Sequence, residues 1–334
     1  MGNISTSIGY TPGYGPILGI AGTAREAAQV KGAQQVFYVD SGHANASDGN
    51  YGLDPAAPLA TIQELMDRAS GASSISNPAL TEHDVIYVSG NVTETVIVPV
   101  TAPQGVTIAG AGNGAYVPSW LPGASAETNL TLRAENWRVT GFNFNFTGNS
   151  TAIHLDWDAT NNSSGAIIDN NHFFGGWSGL YGIVAHGAPY NVQVLNNEFT
   201  EIRSAGGAGT AFAIYTIVTP IAEPLEWKIA NNTFMENENH IGSLNNLYGF
   251  NASIIRNNVF GTGHTIAATT FLDLRSGHGG QNAVVGNLFQ GDYSNAGGYY
   301  DSTDATSSWV GNMAEDVGEA EVGDNGWTIA PPAA

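Results

Sequence analysis

The chain contains no cysteine, so neither disulfide staples nor thiolate metal sites contribute to it. It is also poor in charge. Charged residues make up 11% of its 334 positions, against roughly 25% in an average soluble domain, so Asn, Ser, Thr and Gly must supply most of the surface. The shortage falls on the cations. Nine Lys and Arg face 29 Asp and Glu, for a formal net charge of −20, and the only lysines are Lys31 and Lys228. So few cations cannot build a face that neutralises phosphates, which excludes duplex nucleic acid as a partner. Anionic membrane surfaces are disfavoured for the same reason. No apolar run approaches the ~18 residues of a membrane-spanning helix.

What is present is a repeated phrase. Ile168-Asp169-Asn170-Asn171-His172-Phe173 returns as Val194-Leu195-Asn196-Asn197-Glu198-Phe199, as Ile229-Ala230-Asn231-Asn232-Thr233-Phe234 and as Ile255-Arg256-Asn257-Asn258-Val259-Phe260. Val284-Val285-Gly286-Asn287-Leu288-Phe289 is a looser copy. Successive closing Phe residues are 26, 35, 26 and 29 positions apart (199−173, 234−199, 260−234, 289−260). Self-similarity at that period marks a solenoid, in which each unit buries its apolar side only by stacking on its neighbours. Phe144 lies 29 residues before Phe173 and belongs to an earlier, degenerate unit.

The surrounding runs are short, apolar and closed by Gly or Asn: Val85–Val88, Glu94–Val98, Val106–Gly110, Leu130–Leu132, Trp137–Phe142 and Ile153–Asp156. Strands this short, without intervening helices, do not form a doubly wound sheet. They predict an all-β, single-stranded right-handed parallel β-helix. Its core stacks Phe173, Phe199, Phe234, Phe260 and Phe289, and Asn170, Asn197, Asn232 and Asn258 form a structural ladder at a turn. Eight or nine coils at ~4.8 Å give a rod of roughly 40 Å.

Four segments are expected. Residues 1–35, rich in Gly, Ser, Thr and Pro, form an extended N-terminal arm. Residues 36–82 hold an opening strand, a polar loop and a short capping helix over 61–69, with Thr61 and Glu64 at capping-box spacing. Residues 83–312 are the β-helix. After Trp309 the period is lost, and 313–334 form an acidic C-terminal segment that covers the last coil.

Phe37-Tyr38-Val39-Asp40-Ser41-Gly42, followed by Asp48-Gly49, Asp54-Pro55, Pro58 and Ala60-Thr61-Ile62-Gln63, resembles the start of right-handed parallel β-helix proteins of the pectate-lyase-like class. That class includes bacteriophage tailspikes and other virion proteins. The arm Gly9-Tyr10-Thr11-Pro12 and the stretches Glu94–Val98 and Gly105–Ile108 are similar to those of β-helix proteins of tailed phages. The resemblance spans about residues 35–310. It implies a virion-surface protein, a homotrimer or other symmetric homo-oligomer, held to capsid or tail proteins by its arm and in reach of host glycans. The fold itself hosts many chemistries and none.

Candidate site residues follow from strand parity. Ile153 and Leu155 point inward, leaving His154, Asp156 and Asp158 outside. Leu272 and Leu274 point inward, leaving Asp273 and Arg275 outside, with His278 in the loop beyond. His186 ends an equivalent stretch. Two such carboxylates would act as acid and base in glycan hydrolysis. The resemblance to pectate lyases implies instead Arg275 as base, with Asp156 and Asp158 on Ca²⁺. Against both stand the scarcity of Lys and Arg and the lack of an acid-rich neighbouring coil to complete a shell of six or more oxygens, so neither a metal nor a cofactor is expected. Trp157, Trp177, Tyr181 and Tyr215 are candidates for a glycan platform or a subunit interface. The expected function is a non-catalytic structural protein that decorates a phage capsid or forms a spike. The alternatives are a polysaccharide depolymerase and a passive carbohydrate-binding module.

Overall fold

The computed structural model describes residues 35–75, 78–111, 117–205, 210–217, 224–243, 250–261, 270–274, 281–292, 299–300 and 307–316. Most of the expected arm and the segment beyond 316 lie outside them. Each complete coil contributes one strand to each of three sheets, named A, B and C in the order the chain visits them; among the described residues these have ten, nine and eight strands. Every strand pair is parallel, and the chain winds as a right-handed parallel β-helix, the hand that twisted strands favour for parallel crossovers. Nine strand spacings in sheet A make the rod about 43 Å long. One apolar core runs its length, from Phe37 to Phe289.

The repeated phrase holds the coils in register. Ile168, Val194, Ile229, Ile255 and Val284 occupy one column of sheet A, and Phe144, Phe173, Phe199, Phe234, Phe260 and Phe289 one column of sheet B. From Phe173 to Phe289 the rings stack nearly parallel with centroids 4.6, 4.9, 4.8 and 5.0 Å apart. Such pairs contribute about 0.5–1.5 kcal/mol each beyond the area they bury. The stack continues below Phe144 onto Trp120, at 5.3 Å.

Between sheets A and B the two Asn of each pair divide the work. The first takes the left-handed backbone conformation: Asn170, Asn196, Asn231 and Asn257 have φ between 54 and 58°. In the degenerate copies Gly286 and Gly311 stand there instead, at φ 63 and 64°. The second is buried and forms the ladder. Asn197 Oδ1 accepts the Asn171 N–H at 2.9 Å, Asn232 Oδ1 that of Asn197 at 2.8 Å, and Asn258 Oδ1 that of Asn232 at 2.9 Å. Asn170 is therefore not a rung. Its side chain donates to Asp169, and Asn171 is the rung of that coil, because a ladder residue must point inward and the first turn position points out.

The ladder also runs further than the sequence suggests. Asn287 donates its N–H to Asn312 Oδ1 at 3.0 Å, and Met313–Asp316 is the last strand of sheet B. Val310-Gly311-Asn312-Met313-Ala314 is thus a sixth copy of the phrase, past the point where the period was expected to end.

At the other end, the helix spans Gln63–Ser70 and packs against Val96–Val98, the edge strand of sheet C. Leu65 and Met66 enter the core. The expected capping box forms only in half. Thr61 Oγ1 accepts the Glu64 N–H at 3.2 Å, but Glu64 turns away to Arg68. The free N–H groups of Ile62 and Gln63 are taken by the Glu94 carboxylate of the next coil, at 2.8 and 3.0 Å, and that of Thr61 by Asp48. Glu94–Val98 is likewise not one strand. Val92–Thr93 belongs to sheet B and Val96–Val98 to sheet C, and Glu94 sits at the corner between them, where it can reach the helix.

Candidate functional site

Of the residues singled out by parity, His154 and Asp156 lie on the outer face of sheet C. Thr151–Asp156 pairs with Tyr181–His186, setting His154 opposite Val184 and Asp156 opposite His186. Ile153 and Leu155 are fully buried. On the other side Leu155 pairs with Leu132, which brings Arg133 level with Asp156, and their Nε and Oδ2 atoms form an ion pair at 3.0 Å. The His154 and His186 rings meet edge to face with centroids 5.0 Å apart. Burial, then His186 and Arg133, push the His154 imidazole down to about 4, with Asp156 opposing. His154 Nε2 is buried and has no partner. The coil period thus assembles Arg133, His154, Asp156 and His186.

Asp158 has a local task. Its Oδ1 accepts the N–H groups of Thr160 and Asn161 at 2.6 and 2.8 Å, and the Thr160 hydroxyl at 2.8 Å. These bonds hold its carboxyl down near 2. Asn161 Nδ2 reaches Asp158 at 3.0 Å and, more weakly, Asp156 at 3.4 Å. Among the described residues no three His, Asp or Glu gather to hold a metal ion. Asp273 is on the same sheet as Asp156 but four strands away, about 19 Å at ~4.8 Å per strand. That exceeds the roughly 5–9.5 Å of a glycosidase carboxylate pair. Arg275 and His278 lie outside the described residues.

The aromatic candidates separate. Tyr215 is not exposed. It is 6% accessible, stacked against Tyr181 at 5.1 Å and Phe212 at 4.3 Å. Burial pushes the Tyr181 hydroxyl up. Trp157 is half-buried beside Gly187, where a Cβ would strike its carbonyl oxygen and ring. Trp177 alone is presented to solvent, 37% accessible. It lies on the turn from sheet B to sheet C at φ 64°, a conformation uncommon for a bulky residue, and its N–H donates to Glu201 O in the next coil at 3.0 Å. The Arg203 guanidinium lies 5.9 Å from its ring centre. Arg133, Arg203 and Phe212 were not singled out from sequence. Counting one coil forward or back from Asp156, Trp177 and Tyr181 would have found them.

No family model matches the chain, and no curated protein matches it. Among solved structures, a rice weevil pectin methyl esterase aligns at 12% identity over 82% of this chain and 90% of its own, with a TM-score of 0.41. A rhamnogalacturonan lyase aligns at 12% identity over 84% of this chain and 72% of its own, with a TM-score of 0.34. Likeness at this level carries no activity to the chain, whose architecture rests on its own three sheets.

Proposed function

We propose that this chain is a non-catalytic structural rod, displayed on the surface of a tailed-phage particle as a decoration or short spike and anchored through residues 1–35. The observation that carries the non-catalytic part is how the candidate acids are used. Asp156 is held by Arg133 and Asp158 by its own turn, and Asp273 is out of reach of both. The continuous Asn and Phe ladders support a rigid, durable rod. Few Lys and Arg leave few sites for trypsin-like proteases, and a net charge of −20 keeps particles dispersed. The anchoring and the viral setting rest on the resemblance of the opening segment.

Cryo-electron microscopy of purified protein beside the particle that carries it tests this reading. Periodic density on the head, or spikes at the tail, would support it. Absence from every particle fraction, or release of sugars from host polysaccharide by the purified protein, would sink it. A second reading, passive glycan contact, is favoured by Trp177 alone, held outward against backbone preference.

A further inference from the structure

At the entry end of the rod, a loop is held more firmly than a plain connection requires. Residues 40–58 leave Val36–Val39, the first strand of sheet A, and fold back along its free edge. Tyr38 donates its N–H to Gly52 O at 2.7 Å and accepts the Leu59 N–H at 2.9 Å. Arg68, on the capping helix, braces the loop from beneath. Its side chain is fully buried against Glu64, and its guanidinium donates to the carbonyls of Asp48, Asn50 and Tyr51 at 3.1, 2.8 and 3.4 Å. Asn50 Nδ2 adds bonds to Asn45 O and Pro58 O, both at 2.8 Å. Gly52 has φ 75°, and a Cβ there would meet the Leu59 side chain at 2.8 Å, so only glycine lets the turn close on the core.

What this scaffold presents is apolar. Tyr51 is 66% accessible, the highest value among the large hydrophobic side chains of the described residues, and Leu53, just beyond Gly52, is 45% accessible. Single apolar groups scattered over a surface need no explanation. Two at the tip of a braced loop are pre-organised for contact, because little further ordering is lost on binding. Their surroundings are acidic. Residues 35–75 hold Asp40, Asp48, Asp54, Glu64 and Asp67 against one cation, Arg68, which is already committed to Glu64 and the loop.

We infer that Tyr51 and Leu53 form a docking tip for a second protein, which receives them in an apolar pocket with a basic rim. A glycan fits less well, because the carbonyls beside the tip are taken by Arg68 and leave few polar groups to read hydroxyls. The position of the tip indicates which protein this is. The chain enters the rod at Gln35, three residues before Tyr38 and so about 10 Å along the strand, and Tyr38 is bonded to Gly52. The tip and residues 1–35 therefore share one end of the rod, and the occupant is the protein that holds those residues. This step rests on the particle-bound rod proposed above. It makes the attachment a two-point one, in which linked contacts hold more firmly than either alone.

Rebinding of the purified full chain to particles stripped of it tests the tip. Tyr51→Ser with Leu53→Ser should weaken rebinding at least about tenfold, while circular dichroism and amide exchange over Gln63–Ser70 stay as in the wild type. Tyr51→Phe with Leu53→Met keeps the apolar groups and should rebind like the wild type. Rebinding should also weaken as salt screens the acidic end from the basic rim. The inference alone is overturned if particles carry the wild type but the serine pair rebinds equally well, if the conservative pair fails as the serine pair does, or if salt has no effect. If no particle carries the wild type, it falls together with the proposed function.

Discussion

At each turn from sheet A to sheet B, adjacent asparagines meet different demands, and substitution should separate them. Asn170 supplies a left-handed backbone (φ 55°), which Gly adopts without strain. Asn171 is 3% accessible, and its amide accepts from Phe142 and donates to Val139 O and Asn197 Oδ1. Asn170→Gly should change stability by less than about 0.5 kcal/mol, whereas Asn171→Ala orphans two backbone groups, the Phe142 N–H and the Val139 carbonyl, and should cost ~2–4 kcal/mol in urea unfolding. Equal effects would mean that the ladder is not what holds the turn. His154 tests burial in the same way. Its folded pKa of about 4 lies below the ordinary 6.5, so between these values the unfolded chain binds the extra proton. Its contribution to stability is therefore complete above pH 6.5 and is lost as pH falls toward 4, on the order of 3 kcal/mol at most. His154→Gln should flatten the pH dependence of the melting temperature in that window. His240, pushed down to about 3 by burial, leaves a remainder.

Among the elements, the helix shows what local sequence can and cannot reveal. Its position was legible from an apolar pattern of period 3.6, and the strands from runs bounded by Gly and Asn. Its cap was not, because Glu94 lies 32 residues from Ile62 in sequence and reaches it only once the second coil has closed. The same non-locality hid Arg133 beside Asp156 and Arg203 beside Trp177. Which Asn of each pair is the rung was hidden for a different reason, since both residue types suit a turn and only inward direction distinguishes them. Glu94→Ala should free the N–H groups of Ile62 and Gln63 and cost about 1–2 kcal/mol, as loss of an N-cap does. Hydrogen exchange should report it first in Gln63–Ser70 and in Val96–Val98, the edge strand that the helix covers. Faster exchange spread evenly over all three sheets would contradict a local cap.

For the whole rod, stability is a chain of nearest-neighbour contacts, so the same lesion should matter differently by position. Asn232 is bound on both sides: it accepts from Asn197 and donates to Val194 O and to Asn258. Asn312 is the last described rung, accepting from Asn287 and donating to Val284 O. Removing Asn232 breaks the stack where unfolding must pass through two interfaces, and Asn232→Ala should lower global unfolding free energy by ~2–4 kcal/mol. Removing Asn312 loosens a coil that can fray alone, since terminal units open with little of the global free energy. Asn312→Ala should therefore leave the main melting transition nearly in place while the amides of Met313–Asp316 lose exchange protection and those of Lys228–Ala230 keep theirs. Equal shifts of the main transition would show instead that the rod unfolds as one unit, its coils coupled more tightly than pairwise contacts allow.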